Sequence, residues 1–254
     1  MNIRTIKAVL AIWEREMYEY LNNLHVNAMR LAVEPLLFIF IFGMGLGNRV
    51  AMGNVSYVDF LAPGILFMVV TNNSYMTISM RLMIARDWDK TLINALTAPV
   101  KPFEIVLGYI LAGITQAMAA SVIFILLMSY FLGISFGCIP LLVLFIIAIA
   151  AFFSSLGVAI AMWLDNPHHL MVVTSLVVMP MSFFCGIFIP VSDLPGWVQP
   201  VIGAIPLTKA VQEARAIALA TGNPYLLQNL IYIIIFAIAV FLVGMHVFKK
   251  KVII

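Results

Sequence analysis

The chain has 254 residues, of which 64% are hydrophobic and 10% charged, and its formal net charge is +3. Soluble domains carry about 25% charged residues, so this composition excludes an ordinary water-soluble fold and points to a polytopic membrane protein. The apolar runs reach the roughly 20 residues a helix needs to cross a hydrocarbon core and lack the alternation of barrel strands, so the expected class is all-α integral membrane.

Residues 2–24 read as an amphipathic helix lying in the cytoplasmic interface. Ile3, Ile6, Leu10, Trp13, Met17, Tyr20, Leu21 and Leu24 form one stripe, with Arg4, Glu14, Arg15, Glu16, Tyr18 and Glu19 largely off it. It suits either a brace that also faces a cytosolic partner or a plain membrane anchor. Span 1, about residues 31–47, carries Glu34 and Pro35 near its cytoplasmic end, one turn after Arg30. Glu34 is either an interfacial, snorkelling carboxylate or a functional intramembrane acid. Gly43 and Gly47 stand at a spacing that permits close helix approach.

Span 2 runs from about Tyr57 to Met83, and Pro63-Gly64 near its start predicts a kink or break at the outer end. The polar run Thr71, Asn72, Asn73, Ser74, Tyr75 and Thr77 then falls near mid-membrane, where such groups need partners or water; it suits a pathway or a helix interface. A polar island follows, with Arg86, Asp87, Asp89, Lys90 and Lys101 between two apolar spans. Within it Trp88, Leu92, Ala95, Leu96 and Pro99 recur at steps of three or four. That spacing predicts a short amphipathic helix over 87–98, capped by Asp87 and ended by Pro99. It reads as an element placed to be pushed from below, or as a solvated loop helix anchored by Trp88.

Span 3 (Phe103–Leu132) and span 4 (Leu141–Leu164) precede the turn Asp165-Asn-Pro-His-His169, whose adjacent histidines do not converge on one ion, so no metal site is expected. Span 5 (Leu170–Ile189) leads into an apolar stretch broken by Pro190, Pro195, Pro200 and Pro206, expected to form short re-entrant helices in the outer leaflet. A helix carrying Lys209, Glu213 and Arg215 is predicted from Pro206 to Ala220, ended by Gly222, before span 6 (Leu230–Phe248). Basic residues gather at both termini, and only Arg49, Lys209 and Arg215 fall on the opposite side. The positive-inside rule therefore places both termini in the cytoplasm, with six spans. Cys138 and Cys185 both lie towards the outer side, as a bridged pair or as two free thiols.

The chain holds no GxxxxGK[ST] phosphate loop, no GxSxG and no HExxH, so no enzyme site or bound cofactor is expected, and nothing in its basic residues calls for nucleic acid. Energy for uphill transport would come from an ion gradient or from another chain.

Leu96-Thr-Ala-Pro-Val100 with Leu107-Gly108, and the outer Gly186-Ile-Phe-Ile-Pro190, Leu194-Pro-Gly-Trp197, Ile205-Pro206-Leu-Thr and Glu213-Ala-Arg215, resemble permease subunits of type-2 ATP-binding-cassette exporters. The likeness spans essentially the whole chain, and within that class it is similar to the compact permeases of nodulation-factor, daunorubicin-resistance and polysaccharide export systems. The resemblance implies a single permease domain over 1–254 in the bacterial inner membrane, working as a homodimer with two copies of an ABC ATPase subunit that hold ATP and Mg. It implies that 87–98 is the coupling helix, with Arg86, Asp87, Trp88, Asp89, Lys90, Leu92 and Asn94 facing the ATPase; the family's usual mid-helix acid is replaced by Ile93 or Asn94. It further implies a path through spans 1, 2 and 5, lined by Phe38, Phe42, Phe67, Thr71, Asn72, Asn73, Tyr75, Phe183, Phe184 and Phe188, with Pro190, Pro195, Trp197 and Pro206 in an outer gate. The expected cargo is amphipathic: a lipid-linked glycan, a lipo-oligosaccharide or a hydrophobic drug. The rival reading is a proton-coupled multidrug antiporter that exchanges its proton at Glu34.

Overall fold

In the computed structural model, which describes residues 3–23, 56–97, 99–219 and 221–252 and isolated positions between 25 and 41, the chain is helical, with no strand among the described residues. Glu34, Phe38 and Phe42 lie outside the described residues, and with them most of predicted span 1.

The N-terminal helix α1 (Ile3–Asn22) buries Val9, Ile12, Glu16 and Tyr20, one stripe at steps of three and four. This is not the predicted apolar stripe: Ile3, Ile6, Leu10 and Leu21 stay exposed on another face. The helix therefore has two working faces, one packed on α4 (Pro102–Leu132) and one left apolar at the surface. Close approach to α4 decides the rotation. A Cβ at Gly108 would lie 2.7 Å from the Ile12 side chain, so only glycine admits Ile12 there, and Trp13 Nε1 donates to Thr115 Oγ1 about two turns further along α4 at 3.0 Å.

Helix α2 (Tyr57–Asp87) starts at Ser56, whose Oγ accepts from Val58 N at 3.3 Å, and runs 31 residues without the predicted break at Pro63. Pro63 lies past the first turn, where proline removes one i→i−4 hydrogen bond and crowds the carbonyl of Asp59; the buried packing of Leu61, Ala62, Gly64 and Ile65 holds the helix continuous across it. At 1.5 Å per residue α2 is about 46 Å long. It lies at the centre of the molecule against α4 and α5 (Ile139–Trp163). Small residues set those crossings: a Cβ on Gly113 would meet Ser154 and Ile78, and one on Gly157 would meet the backbone oxygen of Tyr75.

The predicted helix of the polar island begins four residues late. Asp87 is the last residue of α2, the N–H groups of Trp88 and Asp89 both bond Ile84 O at 3.0 Å, and Lys90 turns the chain with φ 52° before α3 (Thr91–Thr97). The apolar packing of Leu82, Met83 and Ala85 holds α2 in register past the predicted end of the span, so Asp87 has no free helix N-terminus to cap.

Helix α4 opens on Pro102 with Lys101 N donating to Glu104 Oε2 at 2.9 Å, and closes on Gly133 at φ 66°. Helix α6 (Pro167–Phe184) starts from Asn166, whose Oδ1 accepts from His168 N at 2.9 Å, and widens into a π turn over Thr174–Val178. It stops at Phe184, before the predicted Ile189, because Gly186 takes φ 84°. A 3₁₀ turn (Val191–Asp193), α7 (Gln199–Gly203), α8 (Pro206–Ala218) and α9 (Leu226–Val252) complete the chain. By length and composition α4, α5, α6 and α9 can cross a membrane. Cys138 and Cys185 are free thiols, the first exposed and the second buried.

Candidate functional site

The C-terminal end of α2 is built around Arg86. Its Nε and Nη2 donate to Asp87 at 2.6 and 2.7 Å, and its Nη1 donates to Ala161 O at 2.8 Å in the last turn of α5. A helix C-terminus leaves carbonyls without intrahelical donors, so a guanidinium there ties the two helix ends together. Below this tie α3 is anchored by Leu92, while Trp88 is 68% exposed and Ile93 50%. Asp89, Lys90 and Asn94 are exposed beside them. The island thus presents a solvated face with two large apolar side chains on a rigidly held base. Trp88, which the spacing grouped with the buried Leu92, faces outward.

The N-terminal helix joins the same region through contacts no local pattern announces. Arg4 Nη2 donates to Pro99 O at 2.6 Å, just past α3. Further along, Glu16 is 3% exposed, accepts from Arg15 Nη2 at 2.6 Å and lies 3.6 Å from Arg81 Nε of α2. Arg81 also pairs with Glu19, and Arg15 Nη2 donates to the buried Tyr109 Oη of α4 at 2.6 Å. Three elements, α1, α2 and α4, therefore meet in one ionic cluster. The available signal was an acid on the Val9–Ile12–Glu16–Tyr20 register, which puts Glu16 in line with apolar residues rather than on the charged face.

The predicted path residues divide. Phe67, Thr71 and Tyr75 are enclosed within the chain. Tyr75 Oη is 3.2 Å from Thr174 Oγ1 in the π turn of α6, Asn73 Nδ2 donates to Val69 O at 2.9 Å, and Ser74 Oγ to Val70 O at 2.7 Å. Three of the six polar residues are thus satisfied at a helix interface or by their own helix, whereas Thr71 Oγ1 is buried without a hydrogen-bond partner among the described residues. Asn72 and Thr77 are half-buried, on a face of α2 with Met76 and Met80. Phe183, Phe184 and Phe188 come together in an apolar groove of ≈ 540 Å³ beside Met179 and Pro180, with the Phe183 and Phe188 rings stacked at 5.4 Å.

The predicted outer-gate residues are also spread. Pro190 precedes the 3₁₀ turn, Pro195 is exposed, Trp197 is 81% exposed, and Pro206 is buried at the start of α8. Gln199 Nε2 donates to Ser192 O and Leu194 O at 3.1 and 2.8 Å, folding the proline-rich loop on itself. The polar anchors come from α8. Arg215 donates from Nε to Phe60 O at 3.0 Å and from Nη2 to Ile187 O at 2.7 Å, with its guanidinium 3.6 Å from the centre of the Phe60 ring. Burial pushes the Arg215 pKa down to about 10, so it remains protonated at neutral pH. Glu213, fully buried, accepts from Asn223 at 2.5 Å and from Asn229 of α9.

A family model described as ABC-2 type transporter matches residues 7–219. The inner membrane transport permease YadH of Escherichia coli (strain K12) is 21% identical over 237 residues, covering 93% of this chain and 92% of its own. Nodulation protein J of Rhizobium meliloti (strain 1021) is 28% identical over 221 residues, 85% of this chain and 82% of its own, and that of Rhizobium leguminosarum bv. viciae is 26% identical over 248 residues, 95% and 94%.

Proposed function

Because the chain belongs to the ABC-2 type transporter permease family, whose members are membrane components that work with an ABC ATPase, we propose that it is the permease of an ATP-driven exporter for amphipathic cargo. The observation that carries this reading is the cytoplasmic knob of Trp88 and Ile93, exposed on a base that Arg86 ties to both α2 and α5. A large aromatic and a large aliphatic residue on a solvated loop, ringed by Asp89, Lys90 and Asn94, have the composition of an interface anchor with a polar rim. Two copies of the chain pair in the bacterial inner membrane, both termini cytoplasmic, each on one ATPase subunit that holds ATP and Mg. The region 31–47 is the first of six spans, with α2, α4, α5, α6 and α9 the others, and 1–254 forms one permease domain.

Cargo passes between the two copies. The half-exposed Asn72–Thr77 face of α2 supplies the polar side, and the Phe183–Phe188 groove on α6 accepts the lipid-like part of a lipid-linked glycan, lipo-oligosaccharide or hydrophobic drug. The turn carrying Pro190, Pro195 and Trp197, with Pro206 at its far end, forms the outer gate.

The test is proteoliposome export of a fluorescent lipid-linked oligosaccharide by the permease with its co-encoded ATPase, comparing wild type with Trp88→Ala and Asp87→Ala. Trp88→Ala is expected to weaken ATPase binding by about thirtyfold, as loss of an aromatic anchor worth about 2 kcal/mol implies. Export falls while the ATPase keeps hydrolysing ATP. Transport that needs no ATPase and collapses on Glu34→Gln or without a proton gradient would replace this reading with an antiporter.

A further inference from the structure

The turn after α6 is held by two side chains of other elements acting on successive carbonyls. Arg215 Nη2 of α8 donates to Ile187 O at 2.7 Å, and Tyr57 Oη at the start of α2 donates to Phe188 O at 3.1 Å. The same guanidinium reaches Phe60 O at 3.0 Å and covers the Phe60 ring. One residue thus bridges the turn and the outer end of α2. Close packing reinforces the bridge: a Cβ on Gly64 would lie 3.0 Å from Ile187 Cγ2 and 3.3 Å from Arg215 Nη2.

The turn also has a pivot and a fixed support. Gly186 at φ 84° adopts a conformation that L side chains rarely take, and a Cβ there would meet Val191 at 2.9 Å. On the support side, α8 is fastened to α9 through Glu213 and Asn229, so Arg215 projects from a helix anchored elsewhere. Beyond the latch lie the exposed Ile189 and Trp197 and the Phe184 edge of the groove.

We propose that Arg215 and Tyr57 form a two-point latch that sets the closed position of the 186–190 turn, and that release of Ile187 and Phe188 from it is the outer-side opening step. The gating role rests on the exporter reading; the latch itself does not. Arg215 is a positioning residue: it acts on the backbone of the turn and has no role in touching cargo.

Hydrogen–deuterium exchange of the full chain in nanodiscs tests the latch. Arg215→Gln is expected to raise exchange across 186–194 by about tenfold, the scale of a lost charge-assisted hydrogen bond. Tyr57→Phe should raise it less, and Arg215→Lys should restore part of the protection. Wild-type exchange in 186–194 after both Arg215→Gln and Tyr57→Phe, or an equal rise throughout α2 and α8, would overturn the latch. With the ATPase bound, exchange of 186–194 in the wild type is expected to rise during ATP turnover towards the Arg215→Gln level. A bound, hydrolysing ATPase that leaves this segment unchanged would overturn its gating role. A chain that binds no ATPase would sink the exporter reading while the exchange measurements on the free chain still decide the latch.

Discussion

Arg81→Glu is expected to lower the unfolding free energy of the detergent-purified chain by about 3–5 kcal/mol, the cost typical of breaking a buried ion pair. Glu16 is 3% exposed and depends on Arg81 for its link to α2 and on Arg15 for its hydrogen bond. Charge reversal sets a third carboxylate beside Glu16 and Glu19, and two like charges about 4 Å apart at an effective dielectric near 20 repel by about 4 kcal/mol. The half-exposed Arg15 screens only part of this. Denaturant unfolding followed by tryptophan fluorescence checks it, since Trp13 lies on α1 near the break. A loss under about 1 kcal/mol would mean that the cluster behaves as a surface salt bridge. Glu16→Gln, which keeps an acceptor for Arg15, should fall between the two.

The second large effect is steric. Gly157→Leu is expected to cost about 3 kcal/mol or more, at the upper end for overpacking, because its Cβ alone would sit 2.9 Å from the backbone oxygen of Tyr75. Backbone cannot rotate aside as a side chain can, so α5 must move off α2. That movement also strains the 3.4 Å contact from Ser154 Oγ to Ser74 O. Gly203→Ala is the matched comparison: nothing lies within 4 Å of its Cβ, and it should be neutral or stabilise by up to about 1 kcal/mol. Equal thermal stability of the Gly157 and Gly203 variants would contradict the packing described for α2 and α5.

Both effects act on the base that carries Trp88. Arg81 lies five residues before Arg86 on α2, and the Arg86 bond to Ala161 O joins that base to α5. Under the proposed coupling role, a push on α3 would meet helices tied by charge at α1 and by close packing at α5, which is what moving them as a unit requires. Arg4, bonded to Pro99 O, gives α1 a second hold at the far end of α3.

How much was legible follows from the range of each force. Membrane class and the course of α4, α5, α6 and α9 were determined by the sequence alone, because a hydrocarbon slab demands long apolar helices with internally satisfied backbones, and that demand is written in consecutive residues. Family membership was legible for a related reason: motifs such as Leu96-Thr-Ala-Pro-Val100 and Glu213-Ala-Arg215 are contiguous. The end of the island helix before Pro99 is equally local.

The rest needed the tertiary structure. The apolar period of α1 pointed to Ile3, Ile6 and Leu10, yet the packed face is the one Gly108 leaves room for, a hundred residues away. Asp87 has the chemistry of a cap but was absorbed into α2, because packing further up the helix outweighed a local end signal. Thr71 and Tyr75 stand in a run that suited a pathway or a helix interface, and both are buried, Tyr75 beside Thr174 of α6. Glu16 with Arg81, and Arg215 with Phe60 and Ile187, are partnerships set by how helices rotate and how near glycines let them come. Hydropathy and helical period act over a few turns of one helix, whereas the pairing of charges and carbonyls across helices is decided by interhelical distance, which only the packed chain specifies.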